Sequence, residues 1–578
     1  MNTSSDDDMD MSTDSVEDLP TSIWLDLAQW VTDNNVDLAK VNSLLKILRQ
    51  HDLDLPKDAR TLLKTPPKVE VLNKCGGQYA YLGVAPGIRR ILQNTQEIVD
   101  SVSLKINVDG IPLFKSSNKA LTPILASFDD HNPFVVALFC GSKKPQPMTD
   151  YLEDFLREME QLHQTGIVVD NRTVSVSVSA FICDAPARQM LKATKGHTGF
   201  ESCERCEVQG YTCSHDRFVL YSRTDCEPRT DAKFANLSYK KPPGVKPEGH
   251  QLDEPPLGID FPCVTRFPLD YMHLVCLGIM RRLIVFWKRG DKICNKGRLS
   301  YELFERISRM LQEYYGRMPS CFARQPRALS EFDRWKATEF RQFLLYTGIV
   351  VLKGVLSQEH YTHFLSLSIA MRYLLETDDD IRTHNCAYAR ELLHFFVHEG
   401  FVLYSEHFVT YNVHSALHLC DDVQTFSCSL NDINAFAFEN ALQGIKKKVR
   451  NGRNPVAQIV KRLEEEHHVG MDKRHHAKDI SLRPQDSCYF LGDHQYVFVK
   501  EARPNDHYLC DVLSSQWCED WFTEPLPSRQ VDIAYCSSRN WTKYAKSCLV
   551  HKSNLCRQVV WLEMGHGFVF IPLVHKEI

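Results

Sequence analysis

The sequence predicts a mixed α/β chain: an α/β core, a long helical block and a β-rich C-terminal region. Three observations carry this. Residues 173–182 (TVSVSVSAFI) alternate valine with serine and then turn fully apolar, the mark of a half-buried strand running into a core. From Phe267 to about Phe426 one segment after another shows helical spacing of apolar residues. From 485 to 578 the pattern returns to short apolar runs such as QYVFVKEA and GFVFIPLV.

A chain of 578 residues leads one to expect about three or four structural units and room for a large core. With 43% hydrophobic and 24% charged residues the composition is that of an ordinary globular protein, and a net charge of −5 advertises no global affinity for nucleic acid. Any such surface must be local. No apolar run reaches the roughly 18 residues of a membrane span, so no membrane partner is expected. The acidic N-terminus argues against a signal peptide. Of the 20 cysteines only Cys203 and Cys206 form a C-x-x-C pair. Scattered cysteines of this kind are expected to be reduced core residues or metal ligands in an intracellular protein.

Taken in order, residues 1–20 carry seven acidic side chains and no basic one, which predicts a disordered acidic tail. Residues 21–99 are assigned to an N-terminal helical region on the amphipathic segments SIWLDLAQWV and VNSLLKILRQ; such a module serves packing, dimerisation or DNA contact. In 100–206, LKINVDGIPLF supplies two strands around the Asp109-Gly110 turn and PFVVALFC a third. TDYLEDFLREMEQLHQTG is a helix stopped by Gly166, and the strand ending before Asp184 closes the set. Strands, one helix and a further strand form the opening half of a ribonuclease H-like sheet. Residues 207–430 are expected to be a mostly helical insertion that begins with a Pro- and Gly-rich excursion. Residues 431–470 continue as helix, and 471–578 form a β-rich domain.

The chemistry gathers after the 173–182 strand. Asp184 stands at the strand's end and at the start of a helix through Ala185, Pro186 and Ala187, where it can hold a divalent cation or simply cap the helix. His197, Cys203 and Cys206 follow in H-x5-C-x2-C spacing, three ligands of a zinc type.

The segments KINVDGIPLFKSSN, FICDAPARQMLKATKGHTGFESCERC, FPLDYMHLVCLGIMRRL and FAFENALQGIKKKVRNGRNP, in this order, resemble the DDE transposases of the CACTA type, in the CMC superfamily of cut-and-paste elements. The resemblance spans residues 105 to about 455. It implies an α/β ribonuclease H-like catalytic core interrupted by a long all-α insertion, with three carboxylates around two Mg²⁺ or Mn²⁺ ions. By the matched motifs these are Asp109, Asp184 and Glu439. Taken alone, Asp109 is also a turn former before glycine, and Glu439 a solvated helix residue.

The Asp270/His273 pair resembles the family's D-x-x-H signature, and His273 is the candidate fourth zinc ligand beside His197, Cys203 and Cys206. Cys213 and His215 are rivals. His414 and His418 are spaced i, i+4 on an expected helix, but without the intervening Glu of the metalloprotease pattern they are expected to be core or hydrogen-bonding histidines.

Between Asn440 and Leu463 lie seven basic residues and no acidic one. Lys446, Lys447, Lys448, Arg450 and Arg453 are the candidate DNA-binding group, expected to hold phosphates next to Glu439; KKKVR also fits a nuclear-localisation pattern. The resemblance therefore implies a nuclear, homo-oligomeric transposase acting on transposon ends and target DNA. The alternative is a domesticated, non-catalytic nuclear DNA-binding or scaffolding protein.

Overall fold

Along Arg172–Phe181, Val174 and Val176 are buried while Ser175 and Ser177 face out, and Ala180 and Phe181 enter the core. Period-two patterning thus sets which face of this strand packs. The computed structural model describes residues 23–95, 97–213, 218–470, 480–491 and 495–576. The expected acidic tail, 1–20, lies outside the described residues, as does His215. The chain divides into two units, Met1–Val71 with Lys447–Arg474, and Leu72–Lys446 with His475–Ile578.

The smaller unit holds α1 (Ile23–Asp33), α2 (Leu38–Arg49), α3 (Ala59–Leu62) and the helix Pro455–Val469. Asp37 caps α2 by accepting from Ala39 N–H, and Asp58 caps α3 by accepting from Arg60 and Thr61 N–H. Ala28, Val31, Val41, Leu45, Leu62 and Leu63 form its core. Residues 431–470, expected as helix, carry two: Phe436–Lys447 ends at the boundary, and an Asn-Gly-Arg-Asn turn precedes the helix at Pro455. Asn454 takes a left-handed conformation there, φ 45°.

The larger unit contains a mixed sheet of β1 (Leu72–Lys74), β2 (Gly77–Tyr81), β3 (Ser101–Val108), β4 (Ile111–Pro112), β5 (Ala120–Ser127), β6 (Phe134–Gly141), β7 (Ile167–Val169) and β8 (Arg172–Phe181). The order is β1-β2-β6-β5-β3-β8-β7, with β4 against β5. Only β3 and β8 pair parallel, Ile106 facing Phe181; the other pairs are antiparallel. Helices α4 (Ala85–Thr95), α5 (Met148–Thr165) and α6 (Ala185–Lys192) accompany it. Ile88, Leu152, Phe155 and Phe181 belong to the same core as the strands. The hairpin 72–81 falls inside the stretch assigned to a helical region. Its turn is a local device: Cys75 and Gly76 both take positive φ, 56° and 82°, which closes a tight β-hairpin.

Beyond the irregular 207–262 excursion, the chain is helical to Phe426. Gln358–Leu374 is buried almost all round, and Asp379–Tyr404 lies against it. Met272–Met280, two residues on from Asp270, winds as a π-helix. Residues 488–572 carry an eight-stranded antiparallel sheet. The chain then returns to the segment leading into Phe436–Lys447. Asn431 Nδ2 donates to Val574 O at 2.8 Å, and Lys576 Nζ pairs with Asp432 at 2.7 Å.

Candidate active site and metal centre

Neighbouring parallel strands end side by side, so the residues that follow β3 and β8 share one edge of the sheet. Asp109 follows β3 at once, and Asp184 stands three residues beyond β8. The two ends are stitched: Ile182 N–H donates to Ile106 O at 2.8 Å, and buried Asn107 Nδ2 donates to Ile182 O at 2.7 Å. Asp184 caps α6, accepting from Ala187 N–H at 2.7 Å. Glu439 lies in the first turn of Phe436–Lys447.

The three carboxylates come together. Burial, then the charges of Asp184 and Glu439 and a side-chain hydrogen bond with Glu439, push the Asp109 carboxyl up to about 8; the Gly110 N–H at 2.6 Å works the other way. Asp109 and Asp184 line a cleft of about 160 Å³ together with Gly110, Thr122 and Lys144. Like charges drawn together at a cleft are relieved by a proton or by a cation, and a sparse set of carboxylates with room for water suits magnesium or manganese. Asp109, Asp184 and Glu439 offer oxygen donors only, the ligand type that a hard divalent ion takes.

His273 joins this group. Its Nδ1–H donates to Asp270 Oδ2 at 2.6 Å, and its Nε2 lies 3.8 Å from Glu439 Oε1. Asp270 is 1% exposed and also accepts from Ala435 N–H at 2.9 Å, the residue before the Glu439 helix. Burial disfavours the imidazolium. The hydrogen bond and charge of Asp270, followed by Asp184 and Glu439, outweigh it and push His273 up to about 9. The D-x-x-H residues thus serve the carboxylate group rather than the cysteine pair.

A separate cluster forms at Cys203 and Cys206, whose Sγ atoms are 3.5 Å apart. His418 Nε2 is 3.5 Å from Cys203 Sγ, His414 Nε2 is 3.2 Å from Cys206 Sγ, and all four ligand atoms lie within 4.8 Å of one another. A tetrahedron of zinc bonds near 2.3 Å to sulfur and near 2.0 Å to nitrogen has edges of roughly 3.3–3.8 Å, close to these spacings. Burial pushes the Cys203 thiol up, yet the Cys206 hydrogen bond and the His418 and His414 rings together bring it well down. Behind His418, Asp421 Oδ2 lies 3.4 Å from Nδ1, the carboxylate support usual for a metal-bound imidazole.

Neither His197, suggested by the spacing, nor His273, suggested by the D-x-x-H resemblance, lies in this cluster. His197 is exposed beside the Tyr411 ring, 6.2 Å between centroids, and Cys213 lies against His407 instead. Proximity along the chain favoured His197, whereas the partners of the cysteine pair arrive more than 200 residues later. The i, i+4 spacing of His414 and His418 was the signal; the missing Glu concerns protease catalysis and says nothing of ligation.

The cluster is fastened to the carboxylate group. Glu204, between the two cysteines and 6% exposed, accepts from Arg188 Nε at 2.9 Å, Lys192 Nζ at 2.7 Å and Tyr411 OH at 2.8 Å. Arg188 and Lys192 belong to α6, the helix that Asp184 caps, and Arg188 Nη1 also holds Cys183 O at 2.7 Å. Next to Glu204, Arg205 pairs with buried Asp422 at 2.6 Å.

In the smaller unit the basic stretch is partly engaged. Lys448 pairs with Glu466, and Arg450 with Asp37 at 3.2 Å and Val36 O at 2.6 Å. Lys447, Arg450 and Arg453 are exposed; Lys446, half-buried, closes the Glu439 helix in the larger unit. No helix among the described residues is long and apolar enough to cross a membrane. Comparison with known protein families and with curated proteins finds no match for this chain.

Proposed function

We propose that this chain is a DDE-type transposase with a ribonuclease H-like core, cutting and rejoining DNA phosphodiester bonds with Mg²⁺ or Mn²⁺. The observation that carries the proposal is the meeting of Asp109, Asp184 and Glu439 from three segments far apart in sequence. The order β6-β5-β3-β8, with the last pair parallel, supports the same fold assignment. When bound, a pair of divalent ions supplies an activated oxygen nucleophile and stabilisation of the leaving oxygen at phosphorus. Asp109, Asp184 and Glu439 would hold those ions. Asp270 orients His273, and His273 keeps Glu439 turned toward the other two carboxylates. Lys144 adds a positive charge at the cleft that favours an approaching phosphate.

In the same proposal, zinc occupies Cys203, Cys206, His414 and His418 as a structural ion that anchors α6 and hence Asp184. Exposed Lys447 and Arg453, and to a lesser degree Arg450, which also holds Asp37, give the helical unit phosphate contacts, and the protein works in the nucleus as an oligomer on two DNA ends. Calorimetric titration of metal-free protein with Mn²⁺ tests the core of this. Wild type is expected to bind it, and Asp109→Asn or Glu439→Gln to bind it at least about tenfold more weakly; equal binding by all three would overturn the proposal.

A further inference from the structure

Asp291, 2% exposed in the turn after Arg281–Arg289, has a fully engaged carboxylate. Its Oδ1 accepts from Ile293 N–H at 2.8 Å and Cys294 N–H at 3.0 Å. Its Oδ2 accepts from Ser405 Oγ at 2.7 Å and lies 2.8 Å from His407 Nδ1. A carboxylate so supplied with donors has no need of a proton, so the Nδ1 of His407 carries one and its Nε2 presents a lone pair. That Nε2 is 3.2 Å from Cys213 Sγ. Glu406, next in chain to His407, turns its carboxylate to the same point; the three ligand atoms lie within 4.8 Å of one another. Tyr211 OH donates to Glu406 Oε2 at 3.1 Å and fixes it in turn.

We infer that Cys213, His407 and Glu406 form a second metal site, distinct from the Cys203/Cys206 cluster, that binds a borderline-soft divalent ion, zinc above all. One thiolate and one carboxylate balance the charge of such an ion, and the thiolate disfavours magnesium or calcium. Binding displaces the proton held between Cys213 Sγ and His407 Nε2, so one proton leaves as the metal enters. Three protein ligands leave a fourth tetrahedral position for water. Asp291 plays the orienting role that carboxylates play behind metal-bound histidines. The negative charge of Glu406 beside Cys213 argues against a free reactive thiolate, which wants cationic neighbours. The site would pin the paired strands Tyr211–Thr212 and Val219–Leu220 to the turn Glu406–Phe408. This is the turn from which the chain runs on to His414 and His418.

The test is zinc stoichiometry of the full-length protein by elemental analysis, with Co²⁺ substitution read by absorption. Wild type is expected to hold two zinc ions per chain, and Cys213→Ser and Glu406→Gln, both at half-buried positions and checked for fold by circular dichroism, to hold one. The thiolate-to-cobalt band should fall in Cys213→Ser. Asp291→Asn should weaken zinc at this site roughly 10- to 100-fold and leave the other ion in place. Two outcomes overturn the inference: the same zinc content and cobalt spectrum in Cys213→Ser as in wild type, or one zinc per wild-type chain with Cys213 rapidly alkylated by iodoacetamide.

Discussion

His273 lies between two acids, with Nδ1 2.6 Å from buried Asp270 and Nε2 3.8 Å from Glu439. Because Asp270 also accepts from Ala435 N–H, one buried carboxylate fixes both the imidazole and the start of the helix that carries Glu439. His273→Ala is expected to lower DNA cleavage by roughly 10²-fold, the scale of a lost electrostatic support at an active site. Zinc content should stay as in wild type. Loss of zinc in this variant would return His273 to the cysteine pair and contradict the arrangement described above.

The pH dependence of the metal-free protein follows from Asp109 and His273. Asp109 moves from 3.8 to about 8 on folding, so between those values the folded chain holds a proton that the unfolded chain has lost. Stability therefore falls as pH rises through that window. His273 moves from 6.5 to about 9 and acts with the same sign: its contribution is full below 6.5 and lost as pH climbs through 9. Asp109→Asn should flatten the first part of the fall and leave the protein more stable than wild type near pH 8, while inactive. Urea denaturation across this range, without divalent metal, checks it; an undiminished slope in the variant would remove Asp109 as the source.

Glu204 is the buried link between the Cys203/Cys206/His414/His418 cluster and α6. Glu204→Ala leaves Arg188 and Lys192 charged and unpaired in the interior, a loss on the order of 3–5 kcal/mol. Denaturant titration of the variant is expected to show that loss, with a weakened Cys203/Cys206/His414/His418 zinc site. A change of less than about 1 kcal/mol, as for an exposed pair, would contradict a structural link between cluster and helix.

The basic stretch separates by partner. Lys447 and Arg453 are exposed, whereas Lys448 and Arg450 are tied to Glu466 and Asp37. If these residues meet phosphates, each lost contact flattens the log-affinity against log-salt slope by roughly 0.9 on duplex DNA. Neutralising Lys447 and Arg453 should do so fully, and neutralising Lys448 and Arg450 less, since those two already hold acidic partners. A slope that none of the four substitutions alters would assign the stretch to nuclear import or to an ordinary solvated face.

What the sequence made legible was local. The valine–serine alternation marks β8, the apolar run of PFVVALFC marks β6, and Gly166 marks the end of α5, because each follows from a few neighbouring residues. The meeting of Asp109, Asp184 and Glu439 came from ordered motifs, not from patterning. Long-range pairing was lost. Nothing near Cys206 announces His414, 208 residues on, and a D-x-x-H motif looks the same whether it serves zinc or a carboxylate group. The hairpin 72–81 escaped because it is short and its outer strand, Leu72–Lys74, has no buried residue to give a period.

The most direct measurement is strand cleavage of duplex DNA carrying the repeats that flank the encoding gene, with wild type and Asp184→Ala compared in Mg²⁺ and in its absence. Wild type is expected to cut only with the metal. Asp184→Ala should bind the same DNA with nearly unchanged affinity and cut none of it, the outcome expected of a residue proposed to hold metal rather than phosphate. Full cleavage by Asp184→Ala in Mg²⁺, or equal cleavage by wild type without divalent ions, would contradict a metal-dependent carboxylate site.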